Sequence, residues 1–317
     1  MNRVSTNGNY QSALLNLMKA QQAQDEAGKR VQTGKLHTDM TGFGRASETL
    51  TALNASQARV QGFLDTGEAV AARLDAQDLS INLMADSLTA AREAVANALA
   101  SDQGSTLMLD LDGQFQSLIN GMNYRHQGGY LYAGANTTQP PVSISSLTAL
   151  AAAPSVESVL TNDQIKSVSR LAENTSVETG FLADGFTFIE PDGTESHIFE
   201  IFRDIKAFHD DPATGPLTGK PTDAQKAFLI DQLKRLDTAT TATTDTAARN
   251  GSLAKRLDQI TDSHDAQMLS LGSLMSARTD ADPLRAVTDL QLSQVAVQAS
   301  AQVVAQLKDV SLLNFLR

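Results

Sequence analysis

Cysteine is absent from this 317-residue chain, and charged and aromatic side chains are scarce. Without cysteine the sequence has no disulfide framework, no thiol nucleophile and no thiolate metal site. Charged residues make up 19% of the chain, below the usual quarter, and aromatic residues 5%. Alanine, glutamine, leucine, threonine and serine take their place. This composition favours long helices packed through small side chains over a thick globular core.

Positive charge and long apolar runs are also lacking. The formal net charge is −11, which argues against a nucleic-acid partner because such an interface needs a basic face. No apolar run reaches the roughly 18 residues of a membrane span. The first residues do not show the charged segment, apolar segment and cleavage site of a signal peptide. We therefore expect no membrane insertion and no use of the general secretory route.

Apolar residues at seven-residue spacing dominate the region from residue 48 to residue 100. One stripe consists of Leu53, Val60, Gly67, Leu74, Ile81, Leu88 and Val95. Apolar residues sustained at this spacing predict a coiled-coil-like helix, and fifty helical residues would extend about 75 Å. A second helical stretch is predicted from Leu107 to about Tyr124.

The middle of the chain differs from the helical regions in its residue pattern. Residues 123–141 contain several glycines around Tyr130, Leu131 and Tyr132, which predicts a short strand or hairpin after a helix ends. We expect strands near residues 166–171 and on both sides of a turn at residues 191–193, followed by a helix at about 198–209. Residues 140–212 are therefore predicted to form a small insert with strand content.

Helical signals resume at Thr222, a predicted N-cap, and continue through the threonine-rich residues 238–248. A last helix is predicted to begin at Pro283, with Asp282 or Thr279 as its cap. Its main apolar stripe is Leu292, Ala296, Ala299, Val303, Leu307, Val310 and Leu313, and a second stripe contains Val297, Ala301 and Val304. Two apolar flanks need more than one partner helix.

The N-terminal helix, at about residues 11–31, is too poor in large apolar side chains to cover this surface alone. Part of the partner is therefore expected to be another molecule. The predicted subunit interface consists of Leu14, Leu17, Leu292, Val303, Leu307, Val310, Leu313 and Phe315.

These patterns predict a mainly α fold: a long antiparallel coiled-coil-like rod of N- and C-terminal segments, with a small β-containing insert. We divide the chain into residues 1–45 with 280–317 as terminal helices ordered on assembly, residues 46–139 with 213–279 as the rod, and residues 140–212 as the insert.

The two ends of the chain resemble the flagellin superfamily, and within it the junction proteins between flagellar hook and filament. The resemblance rests on AGKRVQTGK at residues 27–35, on the heptad helix, on the final helix and on one motif. Matching residues of that motif are Asn123, Gly129, Tyr130, Leu131, Tyr132, Ala133, Gly134, Thr137 and Pro140. Residues 36–50 lack the paired-aspartate segment of many flagellins, which argues against filament flagellin. Most of residues 140–250 lie outside the resemblance.

The resemblance implies a structural subunit of the flagellum, exported by the flagellar type III route to the outside of the cell. Its implied partners are copies of itself, a neighbouring hook-associated protein, flagellin, and an export chaperone at the C-terminal helix. Filament flagellin, a secreted coiled-coil scaffold or adhesin, and an enzyme with a site in residues 140–212 remain as alternatives.

The sequence offers little support for catalysis or for a bound cofactor. Its five histidines are scattered, with no pair at helical ligand spacing (His37, His126, His197, His209 and His264). Residues 110–113 lack the further acids of a calcium loop, and the glycines of residues 128–134 lack the order of a dinucleotide-binding loop. We expect no enzyme activity, no metal and no cofactor.

Overall fold

The computed structural model describes residues 2–313, and the side chains of residues 8–308. Seven α-helices are present in this part of the chain. They are α1 (Asn2–Thr33), α2 (Ala46–Ser101), α3 (Leu107–Met122), α4 (Leu147–Ala152), α5 (Ile198–Asp210), α6 (Asp223–Thr279) and α7 (Pro283–Leu313). Three short 3₁₀ turns lie at Thr41–Phe43, Glu157–Val159 and Ala183–Gly185.

Six short strands pair as three antiparallel hairpins. They are β1 (Arg125–His126) with β2 (Gly129–Tyr130), β3 (Val168–Ala172) with β4 (Thr175–Glu178), and β5 (Thr187–Ile189) with β6 (Glu195–His197). The β3–β4 register shifts between Arg170 and Ala172. The turn between β5 and β6 closes where Gly193 donates its N–H to the carbonyl of Glu190 at 2.9 Å.

The chain divides into two compact units. Unit 1 consists of residues 1–60 and 266–317, and unit 2 of residues 61–265. Helices α2 and α6 contribute to both units. The predicted division into three domains stays a prediction.

The predicted heptad stripe lies on the buried side of α2. Leu74, Ile81, Leu88 and Val95 are all 1% exposed or less. In unit 2, α2 and α6 run antiparallel, since Arg92 forms an ion pair with Asp237 while the Asn250 side chain donates to the Leu74 carbonyl at 2.8 Å.

Helix α6 begins at the predicted cap. The Thr222 hydroxyl accepts the Gln225 N–H, and the Gln225 side chain in turn accepts the Thr222 N–H, so two orphan donors of the first turn are satisfied. The threonine-rich stretch is helical, and its hydroxyls donate to carbonyls four residues back, as those of Thr238 and Thr243 do. Helix α7 begins at Pro283, where Asp282 accepts the N–H of Leu284 at 2.9 Å.

The apolar side chains of the insert share their main core with the long helices. This core contains Phe115 of α3, Phe199 and Phe202 of α5, and Leu229 and Leu236 of α6, all fully buried. A smaller cluster joins Leu171 and Val177 of the β3–β4 hairpin to Val70, Leu74 and Leu257 of the long helices.

The predicted fold class is confirmed: the protein is mainly α, with long antiparallel helices and a small insert of short β-hairpins. The strand near residues 166–171, the turn at residues 191–193 and the helix at residues 198–210 all occur where predicted. Helix α4 and strand β4 were not predicted.

Candidate assembly interface

Helices α1 and α7 pack as an antiparallel pair in unit 1. Arg30 near the end of α1 forms an ion pair with Asp289 near the start of α7, with 3.6 Å between the nitrogen and the oxygen. Farther along, Ala13 of α1 lines the same groove as Ser300 of α7. The pair therefore runs in opposite directions over most of its length.

Small side chains form the seam of this pair. Ala13 and Ala27 of α1 are buried, as are Ala286 and Ser293 of α7. Half-buried residues continue the α7 face at helical spacing (Leu290, Val297, Ser300, Val304 and Leu307). Because alanine and serine reach only a short way from the backbone, the two helices pack closely without covering each other's outer faces.

A backbone clasp joins the end of α1 to the turn between α6 and α7. The N–H of Leu36 donates to the Thr279 carbonyl at 2.7 Å, and the N–H of Ala281 donates to the Gly34 carbonyl at 2.8 Å. Gly34 ends α1 with a φ of +67°, a conformation that costs glycine little. The clasp thus fixes which part of α7 lies beside α1.

A side-chain ion pair reinforces the clasp. The Lys35 ammonium pairs with the Asp280 carboxylate and also donates to the Thr279 hydroxyl at 3.2 Å. The hydrogen bond from Lys35, followed by those from Ser276 and Thr279, lowers the pKa of Asp280 to about 2. Asp280 is therefore ionised throughout the physiological pH range.

The outer faces of the helix pair carry exposed large apolar side chains. Leu292 is 64% exposed and Val303 is 49% exposed. Six others on the same two helices are exposed as well (Leu15, Met18, Val31, Leu284, Val287 and Val295). Single exposed leucines are ordinary, but this density on two adjoining helices is typical of a surface that another molecule covers.

The predicted interface residues fall into two groups in the structure. Leu292 and Val303 are exposed on α7, whereas Leu14, Leu17 and Leu307 are half-buried. Most of the second group's surface is therefore already covered within the chain. The Val310 and Leu313 side chains, and the whole of Phe315, lie outside the described residues. The interface role of all eight stays a prediction.

The side chain of Asn123 holds the end of α3 to residue 142. Its amide nitrogen donates to the Val142 carbonyl at 3.1 Å, and its amide oxygen accepts the Val142 N–H at 3.0 Å. Val142 is 2% exposed. One asparagine side chain thus satisfies both backbone groups of a buried residue, which alanine could not do.

Tyr132 anchors the same segment to α2. It is fully buried, and its hydroxyl pairs with the Ser80 hydroxyl and donates to the Gln77 carbonyl at 3.4 Å. Its ring packs edge-on against Phe186, with ring centroids 5.2 Å apart. Burial raises the pKa of the Tyr132 hydroxyl, so the phenol stays protonated. This tyrosine is a structural anchor.

Residues 129–131 connect these two anchors. Tyr130 donates its N–H to the Thr137 carbonyl at 3.0 Å, and Leu131 donates its N–H to the Tyr124 carbonyl at 3.1 Å. A Cβ on Gly129 would lie 3.0 Å from the Cβ of Thr137, so the chain passes close to this threonine.

The Asp163 carboxylate closes the far end of the segment, a role that the sequence did not reveal. It accepts the backbone N–H groups of Ala135, Asn136 and Ile165 at 2.8–3.1 Å. These hydrogen bonds lower the pKa of Asp163, with that of Ile165 first. A Cβ on Gly134 would lie 2.1 Å from the carboxylate, and Ala133 accepts the Asp163 N–H at 3.2 Å. The motif therefore forms a structural segment of unit 2, the joint of residues 123–134.

The buried histidines serve structural roles. His197 caps α5, where its Nδ1 accepts the Phe199 N–H at 3.2 Å and its Nε2 donates to the Ala183 carbonyl at 3.0 Å. Burial lowers the pKa of His197 to about 4, which keeps the ring neutral. His264 lies against Phe63 and donates to the Leu171 carbonyl at 2.7 Å.

Among the side chains of residues 8–308, no group of three or more histidine, aspartate or glutamate residues is arranged to hold a metal ion. None of the helices described here has the length and apolarity to cross a membrane.

Residues 233–316 match the family model described as the bacterial flagellin C-terminal helical region. The matched residues include most of α6, the Asp280 side of the clasp, and α7 with the exposed Leu292 and Val303. The outer face of the helix pair is therefore formed in large part by residues that match this model.

Solved structures share the fold of about three quarters of the chain, well beyond residues 233–316. A protein described as a flagellar hook-associated protein from Vibrio parahaemolyticus is similar at a TM-score of 0.59 and 16% identity, covering 74% of this chain and 97% of that one. The FlgL protein of Xanthomonas campestris is similar at a TM-score of 0.55 and 13% identity, covering 71% of this chain and 99% of that one.

The flagellar junction protein FlgL from Legionella pneumophila is similar at a TM-score of 0.53 and 12% identity, covering 74% of this chain and 99% of that one. At these identities the likeness concerns the fold. No curated protein sequence matches the chain.

Proposed function

We propose that the chain is a structural subunit of the bacterial flagellum that joins the hook to the filament through packing of its terminal helices. The observation that carries this proposal is the set of exposed apolar side chains on α1 and α7, where α7 lies within the residues that match the flagellin model. Burying one leucine, valine or methionine contributes about 1.5–3 kcal/mol. Eight such side chains per subunit would stabilise an assembly strongly.

The shared fold supports the junction rather than the filament. The Legionella protein of the same fold is described as a flagellar junction protein, and the Vibrio protein as hook-associated. The joint at residues 123–134, by which the sequence resembles junction proteins, is held in unit 2 by the Asn123 hydrogen bonds and by the buried Tyr132. Filament flagellin is the alternative within this class.

The proposed partners follow from the same surface. Copies of this chain would pack side by side through α1 and α7, with a neighbouring hook-associated protein on one side of the layer and flagellin on the other. Heterologous contacts of this kind build helical arrays. An export chaperone would cover the apolar face of α7 before assembly, and the protein would reach the cell exterior by the flagellar type III route.

A scaffold or an enzyme explains less of the molecule. A self-contained coiled-coil scaffold has no need for exposed apolar side chains on both terminal helices. The polar groups singled out above in residues 140–212 act as helix caps and loop anchors, as His197 and Asp163 do. We therefore propose a structural role without catalysis.

Immunogold labelling of intact cells tests the location. We expect a narrow band at the distal end of the hook, and we expect cells that lack the gene to keep hooks and to release flagellin into the medium. Label along the whole filament would instead support filament flagellin. Label away from flagella would contradict the proposal.

A charge on α7 tests the mechanism. Leu292→Asp places a carboxylate on the exposed face, where packing against a neighbour would remove it from water at a cost of several kcal/mol. Leu292→Met is the matched control, because it keeps an apolar side chain of similar volume. We expect motility and labelled junctions with Leu292→Met and neither with Leu292→Asp, while both purified proteins keep the same helix content. Normal junctions with Leu292→Asp would refute the role of this face.

A further inference from the structure

A cavity of about 550 Å³ lies in unit 2 between the segment of residues 178–186 and helix α6. Its volume falls in the range of sites that hold small organic molecules. The cavity uses no residue of α1 or α7, so an inference from it is independent of the assembly role proposed above.

Apolar side chains form part of the cavity wall. Leu182 and Phe186 are buried, and Phe181 and Leu253 are half-buried. An apolar ligand that covered Phe181 and Leu253 would remove carbon surface from water, which favours binding. The wall therefore suits a ligand with an apolar body.

Two of the four charged side chains in the cavity wall form an ion pair with each other, and the other two do not. Lys166 and Glu178 satisfy each other, with 3.0 Å between the ammonium nitrogen and the carboxylate oxygen. Asp184 accepts a hydrogen bond from the neutral amide of Gln164 and, within the described residues, has no cationic partner. Arg249 forms neither an ion pair nor a side-chain hydrogen bond in the part of the chain that the structure describes.

The unmatched charges lie on different walls of the cavity. Arg249 belongs to α6, whereas Asp184 belongs to the 3₁₀ turn at Ala183–Gly185. A ligand between them can place a carboxylate on the guanidinium and an ammonium group on the carboxylate. Charge-assisted hydrogen bonds of this type orient a ligand well, and arginine matches a carboxylate with two parallel N–H donors.

We propose that this cavity binds a zwitterion with an apolar body, of the size of a short apolar peptide with free ends. The ligand carboxylate pairs with Arg249, its ammonium group pairs with Asp184, and its apolar side chains lie against Phe181 and Leu253. No group in the cavity is assigned a catalytic role.

Three matched dipeptides test the contributions of the ligand's ammonium group and carboxylate separately. The probe is leucyl-phenylalanine; its N-acetyl derivative lacks the ammonium group, and its C-terminal amide lacks the carboxylate. Backbone amide signals of Gly180 and Gly185, both in the cavity wall, are followed by NMR of the full-length protein. We expect saturable shifts with leucyl-phenylalanine and roughly threefold weaker binding of each derivative, the size of an exposed ion pair.

Variants of the two charged residues complete the test. Arg249→Gln should weaken binding of the free dipeptide roughly threefold and leave binding of the C-terminal amide unchanged. Asp184→Asn should likewise weaken binding of the free dipeptide roughly threefold, and it should leave binding of the N-acetyl derivative unchanged. Arg256→Gln, an exposed arginine on the same helix outside the cavity, is the control. The proposal is overturned if the glycine signals do not shift, or if Arg249→Gln binds all three dipeptides as the native chain does.

Discussion

Replacing Asn123 by alanine tests whether the joint at residues 123–134 holds unit 2 together. The substitution removes both hydrogen bonds to Val142, at 3.1 and 3.0 Å, and leaves a buried N–H and a buried carbonyl without their partner. Val142 itself is 2% exposed, so its backbone is poorly placed to bond to water instead.

The expected loss of unfolding free energy follows from these two unpaired backbone groups. A buried polar group left unpaired costs about 1–3 kcal/mol. Because Asn123 is itself half-buried, some water can enter the space that its amide leaves. We therefore expect Asn123→Ala to lower the free energy of unfolding by about 2–4 kcal/mol.

Urea unfolding followed by circular dichroism measures this loss. The matched control is Asn136→Ala in the same segment, where the lost side-chain bond is the exposed one from the Thr138 hydroxyl at 2.9 Å. The control should change the free energy of unfolding by no more than about 0.5 kcal/mol. Equal losses in the two variants would refute the argument that the Asn123 side chain is a structural clamp.

Two further predictions concern unit 2. Because the pKa of His197 is lowered to about 4 from an unfolded value near 6.5, its contribution to stability is complete above pH 6.5 and declines by about 3 kcal/mol as the pH falls to 4. Urea midpoints at pH 7 and pH 4.5 should differ less in His197→Asn than in the native chain, and an equal pH dependence would contradict this. Gly134→Ala should destabilise more than Gly128→Ala, since both have positive φ but only the Cβ at residue 134 would strike Asp163. Thermal melts compare the two, and equal melting temperatures would show that the close approach is unimportant.

The sequence predicted the helices well where its signals are local. The heptad spacing from Leu53 to Val95 marked the buried side of α2, and Thr222 and Asp282 marked the beginnings of α6 and α7. Caps and helical periodicity depend on residues a few positions apart, so they can be recognised without a tertiary structure.

The sequence was less informative where a role depends on distant residues. The stripe of α7 with Leu292 and Val303 was recognised as apolar, but the residues of α7 buried most deeply toward α1 are Ala286 and Ser293. Small residues on a seam give a weak hydrophobic signal. Asp163 shows the same limit, because its role arises only when residues 135 and 165 meet at its carboxylate.

The central claim is that the exposed apolar face of α7 becomes buried between subunits, and a single cysteine measures this directly. The native chain contains no cysteine, so Leu292→Cys introduces the only thiol. Ala27→Cys, on the buried seam at 3% exposure, is the control for a position that is covered within one chain.

The measurement is the rate of maleimide labelling in the purified monomer and in isolated flagella. The thiol of Leu292→Cys should react readily in the monomer and slowly in flagella, while that of Ala27→Cys should react slowly in both. Equally fast labelling of Leu292→Cys in monomer and flagella would contradict the claim that this face packs against a neighbouring subunit.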